Sequence, residues 1–319
     1  MRIFVLIVDD MFDTGLTAIL DTFAFANEIL SEQGGRAQFE VTATGVRPSI
    51  QTRLGLHVSA ALATSLPRPD LVVVPALADK MPETLGAALQ RPDVVEAQNV
   101  IRHWYRSGTL VTAACTGTYI LAAMGLLDGG RATTSWWLAP DFRKRFPEVI
   151  LDDSQMLVVQ EQRVTAGAAL AHFDLALWIV RQHSPETAQW VSRYLMIDGR
   201  PSQTVYAMTN HLAHNDSLIE RFEHWVRQNL NSFTMTEAAK TMGVSERTLQ
   251  RRFQEVLGRT PIAFVQDLRI EQAIHRLQTT DASVEEIAQA VGYLDGVTLR
   301  ALLQKKTGCS VRELRKISK

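Results

Sequence analysis

Two stretches in the C-terminal third of this 319-residue chain repeat one another, and a repeat at fixed offset restricts the fold more tightly than composition does. Ala239 and Ala288 stand 49 residues apart, as do Gly243 and Gly292, whereas Leu249 and Leu299, Phe253 and Leu303, and Gly258 and Gly308 stand 50 apart. In the first copy, Thr234-Met-Thr-Glu237 has the form of a capping box opening a short helix, and Gly243-Val-Ser245 makes a turn. A second helix runs from Glu246 to Leu257 and stops at Gly258. In the second copy, Ser283-Val-Glu-Glu286 is the capping box and Gly292-Tyr293 the turn. A helix around Gly296 to Thr307 then ends at Gly308. One extra turn residue accounts for the change of offset.

Each copy meets the needs of a helix-turn-helix: a small residue where two helices cross, glycine at the turn, and apolar residues at i and i+4 of the second helix. Those anchors leave the opposite face polar. In the first copy that face holds Arg247, Gln250, Arg251 and Gln254, types that pair with guanine and adenine edges, with Arg252 expected on phosphates. In the second copy the candidates are Thr298, Arg300, Lys305 and Lys306. Between the copies, Pro261 opens a long helix with apolar residues at Ile262, Phe264, Val265, Leu268, Ile270, Ile274 and Leu277, expected to fix the relative placement of the two units. The expected partner is double-stranded DNA. A net charge of −1 argues against that partner until it is divided. Residues 232–319 hold 14 Lys/Arg against 10 Asp/Glu, a net of +4, leaving 19 against 24, or −5, for residues 1–231.

The strings SERTLQRRF (Ser245 to Phe253), TPIAFVQDLRIEQAIHRL (Thr260 to Leu277) and VEEIAQAVGY (Val284 to Tyr293) resemble the AraC/XylS family of bacterial transcription regulators over about 100 residues. The resemblance implies base-facing roles for Arg247, Gln250 and Arg251. The second unit departs from the family pattern: Leu299 stands where an aromatic is usual, Ala301 where an arginine is, and Val311 where a proline is. Sequence specificity is therefore expected to rest mainly on the first recognition helix.

Residues 1–182 alternate short β-branched runs (Ile3 to Val8, Phe39 to Thr44, Leu71 to Pro75, Leu110 to Ala113) with helix-length segments (Gly15 to Leu30, Thr84 to Tyr105, Thr118 to Leu127). This order predicts an α/β domain, a flavodoxin-like parallel sheet flanked by helices, joined to an all-α C-terminal domain with two helix-turn-helix units. A hairpin is predicted around Gln160 to Gln162. The expected division is 1–197 for the first domain, 198–215 for a linker and 216–319 for the second. No apolar run approaches bilayer length, and Asp9 and Asp10 interrupt the first one too early for a signal peptide, so a cytoplasmic protein is expected. Cys115 and Cys309 have no CxxC spacing, so neither disulfide, metal nor cofactor is expected.

Cys115 follows a predicted strand and precedes Thr116-Gly-Thr118 and an apolar helix, the arrangement of a nucleophile elbow. The stretch AACTGTYILAAMGLLDGGRATTSWWLAPDFRKRFP, Ala113 to Pro147, resembles the PfpI-like domain of the glutamine amidotransferase-like superfamily in its version fused to AraC-type units. Together the two resemblances identify the chain as a GlxA-type regulator, a group with members that control arginine, carnitine and glycine betaine catabolism. Hydrolytic relatives carry a histidine where Thr116 stands, many fused regulators carry one where Ser135 stands, and the carboxylate of stress-related members falls near Gly15. With these partners replaced, no catalytic residue is assigned. Because ligands of open α/β sheets lie at the carboxyl ends of the strands, Asp10, Ala76, Cys115, Thr116, Ser135 and Trp136 are the candidate pocket residues. An acidic group beside tryptophan suits an amine or quaternary ammonium. The expected protein is a regulator, most simply an activator, that answers to a small metabolite such as an amino acid, amine or betaine. It is expected as a homodimer, with RNA polymerase as a further candidate partner. The competing readings are a cysteine-dependent amidase or glyoxalase-like enzyme, or a redox sensor built on Cys115, either carrying a DNA-binding tail.

Overall fold

The computed structural model describes residues 1–32, 38–197, 200, 202–206 and 216–316. The chain divides into two compact units, one of residues 1–138 and 145–200, the other of residues 139–144 and 201–319. The predicted linker, 198–215, lies for the most part outside the described residues. No described helix is long and apolar enough to cross a membrane.

The first unit is built on β1 (Arg2–Ile7), α1 (Asp13–Glu32), β2 (Glu40–Gly45), β3 (Ser49–Gln51), β4 (His57–Ser59), β5 (Ala61–Leu62) and β6 (Leu71–Val74). There follow α2 (Pro82–Ala88), α3 (Pro92–Arg106), β7 (Leu110–Ala114), α4 (Gly117–Ala123) and β8 (Arg131–Ala132). After α5 (Ala139–Arg145), which falls largely in the second unit, come β9 (Ile150–Leu151), β10 (Leu157–Gln160), β11 (Arg163–Ala166), α6 (Ala171–His183) and α7 (Pro185–Tyr194). Seven strands form one sheet in the order β5-β2-β1-β6-β7-β11-β10, parallel except for the β10–β11 hairpin at one edge. The inner strands β1 and β6 are buried almost throughout, as strands covered on both faces must be. From β1 the chain passes first to β2 on one side and later to β6 on the other. The switch of direction therefore lies between β1 and β6, where such sheets open a crevice.

The segment predicted as one helix, Thr84 to Tyr105, is two. Pro92 has no amide hydrogen to continue α2 and instead occupies the first turn of α3, with Arg91 extended before it.

The second unit ends in two copies of one design. After α8 (Ser217–Gln228), α9 (Met235–Met242) and α10 (Glu246–Leu257) form the first helix-turn-helix. The long α11 (Pro261–Thr279) leads to the second, α12 (Val284–Val291) and α13 (Gly296–Thr307), and the short α14 (Val311–Lys316) follows. The helices match in length, 8 and 12 residues in each copy, and all four end in a left-handed glycine: Gly243, Gly258, Gly292 and Gly308. Ser283 and Glu286 form the full reciprocal capping box. In the first copy only half of it is made: Thr234 accepts from the Glu237 amide at 3.2 Å. α11 is shared between two cores. Phe264, Val265 and Leu268 pack with Phe222, Leu249 and Phe253, while Ile270, Ile274 and Leu277 pack with Ile287, Leu299 and Leu303. Ile262, expected among these anchors, is instead 52% exposed on the first turn of α11.

The two turn glycines are not equivalent in their surroundings. At Gly243 a β-carbon would meet nothing within 4 Å, whereas at Gly292 it would fall against the carbonyl oxygen of Leu230 and the Arg269 guanidinium. Gly243→Ala should therefore lose only the cost of a left-handed alanine, about 1–2 kcal/mol. Gly292→Ala should lose clearly more, because backbone must move. Denaturant unfolding of the two variants checks the order, and equal losses would show that the Gly292 turn is not clamped.

Candidate ligand pocket and nucleic-acid interface

A cavity of about 200 Å³ opens at the switch point of the sheet, lined by Phe12 after β1, Ala76 to Lys80 after β6, and Cys115 and Thr116 after β7, with Trp137 and Ala169. Cys115 makes the predicted sharp turn: its φ is 57°, a left-handed conformation rare for a side chain other than glycine, costing about 1–3 kcal/mol. The strain is held by bonds on every side. The Cys115 amide donates to the Ala166 carbonyl at 3.0 Å, its carbonyl accepts from the Thr134 hydroxyl at 2.7 Å, and its sulfur lies 2.9 Å from Ser135 Oγ. Thr116 Oγ1 donates to the Leu77 carbonyl at 2.6 Å, tying the turn to the loop after β6. Burial pushes the Cys115 thiol up from its ordinary pKa, and the hydrogen bonds from Ser135 and Thr116 offset this only in part.

His172 lies at the start of α6, fully buried. Its Nε2 accepts from the Ala76 amide at 3.1 Å and its Nδ1 lies 2.5 Å from the Ala169 carbonyl. One nitrogen must accept and the other must donate, so the ring is neutral and fully engaged. Burial pushes its pKa down to about 4. Gly15 faces this ring: a β-carbon there would come within 2.7 Å of Nε2. Asp13, two residues before Gly15 in sequence, accepts from the Thr52 hydroxyl and from the Leu54 amide at 3.2 Å.

Of the six pocket residues expected from sequence, Ala76, Cys115 and Thr116 line the cavity, and Ser135 is buried behind them against the sulfur. Two are corrected. Asp10 does not face the cavity as a free acid, because Arg91 Nη1 pairs with it at 3.0 Å while Nη2 of the same guanidinium grips Asp93 at 3.0 Å. Trp136 is displaced by its neighbour: in the short 3-10 helix Trp136–Leu138 the two rings pack edge to face at 5.5 Å, and Trp137 is the one that lines the cavity. Phe12, Asp79 and Lys80 were missed, although their places just after β1 and β6 are where the strand-end rule points.

On the first recognition helix, α10, Arg247, Gln250, Arg251, Arg252 and Gln254 are all exposed, as the burial of Leu249, Phe253 and Leu257 on the other side requires. Arg251 holds an exposed i,i+4 pair with Glu255 at 3.1 Å, weak enough to exchange for another partner. Arg252 is a correction. Its guanidinium is fastened to Asp216, with Nε 2.6 Å from Oδ2, and buried Asp216 also caps α8. Lys306 is likewise committed: its ammonium lies 2.8 Å from Asp267, which also pairs with Arg259 at 2.6 Å, so it braces α13 on α11. Thr298 bonds its own N-cap, Asp295, and Arg300 pairs with Glu285 at 3.0 Å. Lys305 is exposed.

A family model described as the DJ-1/PfpI family matches residues 1–182, more than half of the chain. The chain belongs to the DJ-1/PfpI family. A helix-turn-helix domain model matches residues 238–317. Among curated relatives, the HTH-type transcriptional regulator ArgR of Pseudomonas aeruginosa is 29% identical over 243 residues, covering 74% of this chain and 71% of that protein. The regulator CdhR of the same species is 30% identical, over 60% of this chain and 59% of its own length. GlxA of Rhizobium meliloti is 26% identical, over 63% of each. A THiJ/PfpI family protein from Pseudomonas syringae superposes with a TM-score of 0.53 at 20% identity, over 76% of this chain and 89% of that one, a likeness of fold.

This DJ-1/PfpI domain thus carries a sharp turn at Cys115 with a protonated thiol, and a neutral, buried histidine at the start of α6. The histidine carries a pH signature. An unfolded chain takes up a proton at His172 below about pH 6.5, and the folded chain does so only below about 4. Its contribution to stability is therefore intact above 6.5 and lost as pH falls toward 4, by about 3 kcal/mol. Unfolding followed across this window should show the slope, and His172→Gln should flatten it.

Proposed function

We propose that this protein is a sequence-specific DNA-binding transcription regulator, an activator, governed by a small metabolite held in its DJ-1/PfpI domain. One observation carries the reading: two matched helix-turn-helix units share one linker helix, and the first presents Arg247, Gln250, Arg251 and Gln254 to solvent from a helix anchored on its opposite side. The metabolite site is the cavity at the sheet's switch point. Its volume suits a small metabolite, and its lining joins the aromatic rings of Phe12 and Trp137 with the charges of Asp79 and Lys80. That combination favours an amino acid or a betaine, which carries both charges, over a simple amine. Ligand binding is coupled to the DNA-binding state of a homodimer.

The same cavity argues against turnover. Attack by a thiol needs a thiolate or a base, and a donor for the oxyanion. Here burial favours the thiol form, His172 has both nitrogens engaged, Asp13 is turned to Thr52, and the amides of Cys115 and Ala76 are bonded to Ala166 and His172. The cysteine serves as part of a wall.

A mobility shift on DNA from upstream of the protein's own gene tests the DNA-binding reading. Wild type should form a specific complex, and Arg251→Ala should weaken it by roughly 10- to 100-fold, the worth of a good bidentate base contact. Absence of any sequence preference would refute it. For the pocket, amino acids and betaines should raise the melting temperature of the full chain, and Cys115→Ala should keep the transcriptional response. Loss of that response with DNA binding intact would return the thiol to a chemical role.

A further inference from the structure

The two recognition helices offer different surfaces to whatever they read. By the 50-residue offset, Val297 stands in the place of Arg247, and Ala301 in the place of Arg251. The equivalence is structural as well as sequential, because Leu249 and Leu299, and Phe253 and Leu303, anchor the two helices from matching positions. Around these sites on α13 the polar groups are exposed and bonded to one another. The Asp295 carboxylate accepts from the amide and hydroxyl of Thr298, Arg300 lies against Glu285, and the Gln304 amide donates to the Gly308 carbonyl at 3.0 Å. Beside these polar groups, and without any polar atom of their own side chains, Leu294, 95% exposed, Val297, 72% exposed, and Ala301 face solvent. With Val297 in the place of Arg247 and Leu294 next to it, this face offers an apolar contact where the sister helix offers hydrogen bonds.

Given the DNA-binding reading, on which this rests, we infer that the second helix-turn-helix reads thymine through its methyl groups, with Val297 and Leu294 as the specificity-determining residues. The floor of the major groove presents one apolar feature, the C5-methyl of thymine, and aliphatic side chains contact it. The exposed Lys305 farther along the same helix supplies a cation for a flanking phosphate. The protein would then read one half of its site by hydrogen bonds and the other by shape and methyl contact. That second half should be rich in A·T pairs.

The experiment selects duplexes from random DNA with the full-length protein, maps the two halves by footprinting, and replaces thymines in each half with deoxyuridine. This substitution keeps every hydrogen-bonding group and removes only the methyl. In the half facing the second unit, affinity should fall about fourfold for each contacted methyl. Val297→Ala, on an exposed position that leaves the core untouched, should lose part of this uracil sensitivity, and the Leu294→Ala, Val297→Ala double variant should bind thymine and uracil duplexes alike, with the affinity of wild type for uracil. Equal binding of the two duplexes by wild type would overturn the inference, as would uracil sensitivity that survives in a Leu294→Ala, Val297→Ala double variant. So would loss of reporter activation in that variant with DNA affinity unchanged, which would give the face to a protein such as RNA polymerase. If no sequence is enriched at all, the DNA-binding reading itself fails. If Arg251→Ala abolishes enrichment while uracil changes nothing, only the methyl reading fails.

Discussion

The recognition helices depend on α11, because neither helix-turn-helix has enough apolar surface to hold its second helix alone. Each short helix and each recognition helix contributes only a few buried side chains, and α11 closes both cores with alternate stretches of one continuous rod. Each of those side chains adds about 1.5–3 kcal/mol on burial, so separating the halves would forfeit most of either core. Polar groups fix the register that the apolar contacts leave adjustable. Arg269 on α11 donates to the Leu230 carbonyl at 2.8 Å and lies 5.5 Å from the centre of the Tyr293 ring, while Tyr293 reaches Gln266 at 2.5 Å. The segment after α8, the linker helix and the turn of the second helix-turn-helix therefore meet at one guanidinium. Burial holds the Arg269 pKa below its ordinary value.

In the first unit the corresponding organiser is the strained turn at Cys115. A parallel sheet brings the ends of β1, β6 and β7 to one rim, and the cavity exists because the chain leaves those ends in different directions. The φ of 57° at Cys115 is maintained by five residues, Thr116, Thr134, Ser135, Ala166 and Leu77, whose bonds converge on the turn. Strain of this kind persists only where its surroundings over-determine it. In a hydrolase it presents a nucleophile. Here His172 and Asp13 are bonded to other groups, and the turn forms part of the lining of the cavity.

How much of this was legible in the sequence follows from the range of the interactions. The repeat, the helix ends and the four terminal glycines were readable because caps and turns are local. The elbow was readable because a strand, a cysteine and a small-residue helix start lie in succession. What could not be read were commitments between distant residues. Arg252 finds Asp216 36 positions away, Lys306 finds Asp267 39 away, and Arg91 finds Asp10 81 away. From the sequence alone each was a free charge, available to a phosphate or a ligand. The exchange of Trp136 for Trp137 has a different origin: a 3-10 turn points successive side chains about 120° apart, and no periodic pattern says which one faces the cavity. The break at Pro92 was legible in principle, since Arg91-Pro92 carries the signature of a helix start.

Those ion pairs also change how the basic excess of the C-terminal third is to be understood. Within residues 232–319, Arg252, Arg259 and Lys306 each face a carboxylate and fasten helices together. The +4 is what is left after the acids of that stretch are subtracted, and its attraction for a polyanion falls off beyond about 10 Å in ordinary salt. Exposed cations stand on both second helices, at Arg247 and the loosely held Arg251 on α10 and at Lys305 and the loosely held Arg300 on α13. What sets the two helices apart is therefore not charge but the exposed apolar pair at the start of α13, Leu294 and Val297, which have no counterpart on α10.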